Sequence, residues 1–309
     1  IRRSVQCHCG VGTPILSVLF PANPFGRGPP VSPVKWLSQA AGVVSSANPW
    51  DLPQAPRPRS PWRIDGALPD SSNGALLVRD ADDRLWVYKP VARERRLHDF
   101  PAGTLARREV ASYLLSQLMG IALVPLTVFI EDGPRGAGSM QRWIDDDLEN
   151  PLVVADTTER LPGHWHGFLL GIDEDDHEIG LAHSPHPALR ALALFDTVAN
   201  NADRKGGHIL LGPDPDLDGT AHVWAVDNGL AFHTAPKLRT VLWGWAGQPL
   251  EPVEEMMLDQ VVAVPDDIFD EFINVAEVEA LRQRAADLLE FGAFPGPSGL
   301  RPALPWPPM

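Results

Sequence analysis

Hydrophobic and polar positions divide the chain into unlike stretches. Residues 1–60 hold many prolines (RGPPVSP, NPWDLPQAPRPRSP) and sustain neither a period of 2 nor one of 3.6, which predicts a disordered Pro-rich extension. Order is expected from near Trp62. A turn signal, Ser71-Ser72-Asn73-Gly74, precedes ALLVRD; the turn DADD then leads into RLWVYKP, so the pattern predicts a β-hairpin with Lys89 at its end. Helical spacing takes over from Leu105 to Met119. There Val110, Leu114 and Leu118 share a face, Ala111 and Leu115 widen it, Thr104 is the expected N-cap and Gly120 the stop. Glu109 lies beside that stripe, where it can point inward at a partner. LVPLTVFI (123–130) and GSMQRWI (138–144) predict two more strands.

Residues 145–187 are acidic and carry His164, His166, His177, His183 and His186. Their spacings match no H-x-x-x-H pattern and Gly, Pro and Asp intervene, so a flexible surface loop is expected rather than a metal site. A helix follows over 188–200, then a polar loop, two short strands (HILLG and HVWAVDNG) and a clear helix over 276–292; the tail PGPSGLRPALPWPPM predicts disorder. The organisation expected is an extension over 1–60, a β-rich lobe with one helix over 61–145, a mainly helical lobe over 146–293, and a disordered tail over 294–309.

Bulk properties narrow the field. With 309 residues and 44% hydrophobic content the chain supports a sizeable core. A net charge of −14 disfavours nucleic acid and stable binding to anionic membranes. Cys7 and Cys9 are the two cysteines, too close for an unstrained disulfide and without a second pair to complete a metal site. No apolar run reaches the ~18 residues of a membrane span, and TPILSVLFPANPF is short and broken by Pro21. A cytoplasmic protein is expected.

The densest chemistry lies between Asp196 and Gly229, where Asn201, Asp203, Arg204, Lys205 and His208 crowd one loop and a strand runs into Asp227, Asn228 and Gly229. Phosphoryl transfer from ATP needs a lysine on the phosphates, a carboxylate on a helix to hold it, a base near the acceptor and ligands for Mg²⁺. Lys89 at a strand end, Glu109 on a helix, Asp203 in a loop after a helix and Asp227 after a strand offer these parts in that order. Each alone has a plain structural explanation; Asn228-Gly229, for instance, is an ordinary turn signal.

The stretches YKPVARERRLHDFPAGTLARREVASYLL, NNADRKGGHILL, VDNGLAFH and KLRTVLWGW resemble the phosphatidylinositol 3-/4-kinase branch of the protein-kinase-like superfamily, and more closely an actinobacterial group of PI3/PI4-kinase-like proteins. The resemblance covers about residues 64–290 and implies a two-lobed α+β kinase-like fold, binding of ATP with Mg²⁺ or Mn²⁺, and transfer to an acceptor hydroxyl; the charge of −14 makes a protein or small-molecule acceptor at least as expected as a lipid. It implies that Lys89 contacts the α/β-phosphates with Glu109 orienting it, and that Ser71, Ser72 and Asn73 cover the phosphates. Gln141, Arg142 and Trp143 would form the adenine hinge with Met140 behind. Asp203 would be the base and Asp227 a metal ligand. The branch pattern D-R-H-x-x-N departs here to Asp203-Arg204-Lys205-Gly206-Gly207-His208, with His208 at the metal-binding Asn position. Imidazole prefers softer ions than Mg²⁺, so His208 or Asn201 completes the metal set, or the chain is a nucleotide-binding module without turnover. Transfer of AMP on the same fold is a third reading. Lys237 and Arg239 fall where a substrate loop would lie.

Overall fold

The computed structural model describes residues 57–69, 74–215, 219–299 and 301–309. The extension over 1–56, with Cys7 and Cys9, lies outside the described residues, as do Ser71, Ser72 and Asn73. Strands β1 (Arg63–Ala67), β2 (Leu76–Arg79), β3 (Leu85–Pro90), β4 (Thr127–Gly133) and β5 (Gly136–Arg142) form one sheet in the order β1-β2-β3-β5-β4, each neighbouring pair antiparallel. Helix α1 (Leu105–Leu118) is inserted between β3 and β4. A five-stranded sheet with one inserted helix, followed by a second lobe built on helices, gives the two-lobed α+β arrangement the sequence pattern predicts.

The apolar run over 123–130 becomes a strand only from Thr127. The Ser116 hydroxyl accepts the Leu123 and Val124 amides at 2.8 and 3.2 Å, and Pro125 has no amide to give, so these donors are unavailable to a ladder. The second lobe holds α2 (Pro187–Ala199), α3 (Pro252–Val262) and α4 (Val275–Phe291), together with two small sheets. Ala111, Leu115 and Leu118 of α1 share one buried cluster with Leu189, Leu192 and Phe195 of α2 and Val278, Leu281 and Leu288 of α4. Helix α1 thus packs on β4 and β5 of the first lobe and also places its apolar face in the core of the second.

The expected histidine-rich surface loop is instead a three-stranded antiparallel sheet, β6 (Val153–Thr157), β7 (His166–Ile172) and β8 (Glu178–His183), in the order β6-β8-β7. The acidic stretch around Asp173 turns between β7 and β8, its carboxylate accepting the Asp175 and His177 amides at 2.9 and 2.8 Å. His183 is fully buried beside Trp245, at 4.7 Å between ring centroids. Its Nδ1–H donates to the Ser184 carbonyl (3.1 Å) and its Nε2 accepts the Gly244 amide (3.1 Å), a pairing only the neutral ring satisfies. A Cβ on Gly244 would stand 2.4 Å from His166 and 2.6 Å from His183 Nε2, so this seam requires glycine.

Burial pushes the His183 pKa down to about 3. The unfolded chain takes up this proton below about pH 6.5 and the native state does not, so the stability that neutral His183 carries is present above that value and lost as pH falls toward about 3. His183→Gln is expected to reduce proton uptake on unfolding by about one between about pH 6 and pH 4, read from the pH dependence of urea midpoints.

The tail also departs from expectation. The Gly206 amide donates to the Pro308 carbonyl at 2.8 Å, and the Ala303 carbonyl accepts from the Thr240 amide (3.2 Å) and Trp243 Nε1 (3.0 Å). Composition alone predicts disorder there, but a proline-rich strand still presents carbonyl acceptors, and here it meets backbone donors that need them.

Candidate active site

Lys89 reaches the cleft through the pleat of β3. Pairing of β3 with β5 sets Lys89 opposite Ser139, Val87 opposite Gln141 and Tyr88 opposite Met140. Side chains alternate along a strand, so Lys89, Ser139 and Gln141 share one face. Tyr88 and Met140 point to the other, where Met140 is buried with Trp86, Leu76 and Val78. The expected place of Met140 behind an adenine is therefore corrected: its side chain is on the wrong face. Gln141 is on the cleft face but buried, its amide donating to Thr127 Oγ1 at 2.9 Å. Arg142 Nη1 donates to the Leu85 carbonyl (2.9 Å), and Trp143 Nε1 to Asp145 (2.8 Å).

Glu109 meets Lys89 because α1 is fixed at both ends of its first turns. Thr104, the expected cap, makes no side-chain cap bond. Glu94, from the loop after β3, accepts the Leu105 and Ala106 amides at 3.1 and 2.8 Å instead, placing a carboxylate at the positive end of the helix. On the next turn Arg108, 1% exposed, ion-pairs with Glu277 of α4 and donates to the Ala231 carbonyl at 2.7 Å. Held this way, Glu109 gives one oxygen to the Lys89 ammonium and the other to the Asn228 amide, 3.0 Å away. Lys89 Nζ also donates to Asp227 at 2.9 Å. Gly229 admits this close approach, since a Cβ there would come within 3.3 Å of the Glu109 carboxylate.

The polar loop is assembled on a buried arginine. Helix α2 ends at Asn200 in the left-handed conformation (φ 56°), a cap that asparagine tolerates well. Arg204, 0% exposed, pairs with Asp196 of α2 at 3.0 Å and donates to the Val226 carbonyl (2.9 Å) and to Asn228. Asn201 serves the same frame: its amide donates to Asp196 and its oxygen accepts the Asp203 amide, both at 3.0 Å. With both ends taken and no exposure, Asn201 is a tie and not a metal ligand, which corrects that expectation. Asp203 projects into the cleft with Lys205 Nζ 3.4 Å away.

His208 and Asp227 are neighbours by register. Strands β9 (Ile209–Pro213) and β10 (Ala221–Ala225) pair Ile209 with Ala225, and the Val226 amide donates to the His208 carbonyl at 3.0 Å. This puts His208 Nε2 3.4 Å from the second oxygen of Asp227. Asp227 itself has φ 56°, a conformation costing about 1–3 kcal/mol for a non-glycine residue and characteristic of functional sites.

The cleft is lined by Lys89, Glu94, Arg95, Glu109, Asp203, Asp227 and Gly229, among others. Lys89, Glu109, Asp203 and Asp227, separated widely in sequence, are thus brought together. Burial pulls the Lys89 ammonium down, but the Asp227 and Glu109 carboxylates outweigh it and its pKa lies above the ordinary lysine value. Lys89 in turn holds Asp227 below the usual carboxylate range. Burial pushes Asp203 up against the pull of Lys205, and pushes His208 down to about 4, leaving a neutral imidazole at neutral pH. Lys237 pairs with Asp99, and Arg239 donates to the Ala202 carbonyl (2.7 Å). Glu94, Asp196 and the framing role of Arg204 were not legible from motifs; a buried arginine three positions from a buried amide carries no sequence signal of its own.

A divalent ion fits the donor set in part. The 3.4 Å between Asp227 Oδ2 and His208 Nε2 is long for a hydrogen bond but matches two adjacent ligands each about 2.0–2.2 Å from one ion. Among the described residues no three His, Cys, Asp or Glu are placed so that together they could hold a metal ion. The protein would supply two ligands and leave the rest to phosphate and water, as is usual for nucleotide-bound Mg²⁺.

No protein-family model matches the chain. It is similar to Protein Rv2133c of Mycobacterium tuberculosis, 43% identical over 237 residues that make up 72% of this chain and 81% of the relative. Among solved structures it is similar to the Golgi casein kinase, with a TM-score of 0.45 and 13% identity over 74% of this chain and 72% of that one. The same kinase with Mn/ADP bound gives a TM-score of 0.43 at 13% identity, with the same coverage of each chain. The Helicobacter pylori proinflammatory kinase CtkA gives 0.41 at 9% identity, over 76% of this chain and 93% of that one.

Proposed function

This chain belongs to the family of Protein Rv2133c of Mycobacterium tuberculosis, and for it we propose ATP-dependent phosphoryl transfer to an acceptor hydroxyl. One observation carries the reading: Lys89 Nζ bridges Glu109 and Asp227 while the Asn228 amide holds the other Glu109 oxygen. That joins strand, helix and Asp-Asn-Gly turn around one cation facing a cleft, the arrangement that positions triphosphate oxygens. The PI3/PI4-kinase motif order, with Asp203 ahead of Asp227, supports that branch. The net charge of −14 supports a protein or small-molecule acceptor over one embedded in an anionic membrane.

In this reading Lys89 binds the α/β-phosphates. Asp203 orients the acceptor hydroxyl and takes its proton as the oxygen bonds the γ-phosphorus and the bond from that phosphorus to the ADP oxygen breaks. Lys205, beside Asp203, faces the negative charge of the group in transit. Asp227 and His208 would hold a divalent ion, which supplies charge neutralisation to the phosphate oxygens when bound. Imidazole favours Mn²⁺ over Mg²⁺ more than an amide does. His208→Asn is expected to lower the ratio of ATP affinity with Mn²⁺ to that with Mg²⁺ by about tenfold in calorimetric titration.

A second reading, nucleotide binding without turnover, is favoured by one observation. His208 Nδ1 is buried without a hydrogen-bond partner, so the ring lacks the outer partner that usually orients a metal-bound histidine. ATP labelled at the α- or γ-phosphorus separates the readings. Transfer of γ-label with release of ADP supports the kinase, transfer of α-label supports AMP transfer, and thermal stabilisation by ATP with no product supports the binding module. No stabilisation by ATP with either Mg²⁺ or Mn²⁺ would overturn a nucleotide site altogether.

A further inference from the structure

We propose that residues 303–308 are a positioning clamp for the loop that carries Asp203. The loop and the segment after Lys237 lie side by side: the Arg204 amide donates to the Arg239 carbonyl and the Val241 amide to the Arg204 carbonyl, both at 3.1 Å. Two tail carbonyls grip this pair from outside. Pro308 accepts from Gly206, and Ala303 accepts from Thr240 and from Trp243 Nε1. Thr240 reaches inward as well, its hydroxyl donating to Asp196 at 3.2 Å, the carboxylate that holds Arg204. Pro305 and Pro308 are buried, and Gly206 is buried beneath the tail. A Cβ on Gly206 would stand 2.5 Å from Met309 Sδ and 3.1 Å from Val153 Cγ1, so the glycine leaves room for the Met309 side chain to lie on the loop.

Gly206 lies between Lys205 and His208 and three residues from Asp203. None of the tail residues lines the cleft among Lys89, Glu109, Asp203 and Asp227. Their effect on chemistry passes through the loop backbone. A shift of about 1 Å in a reacting group costs about a hundredfold in rate, whereas nucleotide held by Lys89 on the opposite lobe is little affected.

The activity arm of the test rests on the phosphotransfer reading; the exchange arm does not. A variant lacking residues 303–309 is expected to show amide exchange at Gly206 and its neighbours faster by about tenfold or more. Its ATP turnover should fall by about tenfold to a hundredfold with ATP affinity changed less than about threefold. A peptide of residues 301–309 added in trans should restore both. If the shortened chain does not fold, Gly206→Ala in the full chain tests the same seat: loop exchange should rise, and Met309→Gly on that background should bring it back. Unchanged loop exchange, turnover and affinity falling together, or no recovery with the peptide or the second substitution overturns the clamp. If the parent chain turns over no ATP, the phosphotransfer reading fails, and exchange with its rescue alone decides the clamp.

Discussion

Asp203→Asn lowers ATP-dependent transfer by about a hundredfold to ten-thousandfold, the range for loss of a positioned general base, and leaves ATP affinity within about threefold. The substitution keeps the shape of the side chain, and the backbone tie from the Asp203 amide to Asn201 is untouched. Neither contact that fixes Lys89 passes through Asp203. Asp227→Asn should behave differently, weakening both transfer and affinity, because Asp227 holds Lys89 and faces His208. Steady-state rates set beside calorimetric affinities distinguish the two variants. Retained turnover in Asp203→Asn sinks the assignment of the base. The acid limb of the rate profile should lie above that of an ordinary carboxylate, since burial raises Asp203, and Lys205→Met should move it higher by removing the charge that favours the ionised form.

Arg204→Met lowers stability by about 3–5 kcal/mol, the cost of leaving one partner of a buried ion pair unpaired. Both Arg204 and Asp196 are fully buried, and the guanidinium also serves Val226 and Asn228. The double variant Asp196→Leu/Arg204→Met should lose less than the sum of the single losses, because the stranded charge is gone. Urea unfolding of the four proteins measures the coupling. Additive losses would mean that the two side chains act independently.

The legible parts of the fold were local. The hairpin before Lys89, helix α1 and helix α4 follow from periods and turn residues within about twenty positions. The four residues Lys89, Glu109, Asp203 and Asp227 were legible because their order along the chain, not any one motif, is unusual. What failed depended on contacts between distant segments. Whether Met140 or its neighbours face the cleft is set by pairing with β3, and a one-residue offset reverses the face. Asn201 stood as an alternative ligand because His208 replaces the metal-binding Asn of the pattern, but Arg204 draws Asp196, and with it Asn201, into the interior. The histidine-rich stretch is polar in composition, yet His166 and His183, paired across β7 and β8, meet Trp245 and Gly244 from a segment sixty or more residues on.

Arg108 has a consequence for how the molecule can be divided. Its ion pair with Glu277 and its bond to Ala231 are made across the boundary between lobes, from a helix whose apolar face lies in the second lobe's core. Cutting the chain after residue 145 would strip α1 of that core and leave a guanidinium without its counter-charge. The first lobe cut there would expose the apolar face of α1, so separately expressed halves of this protein are expected to be less stable than the whole chain.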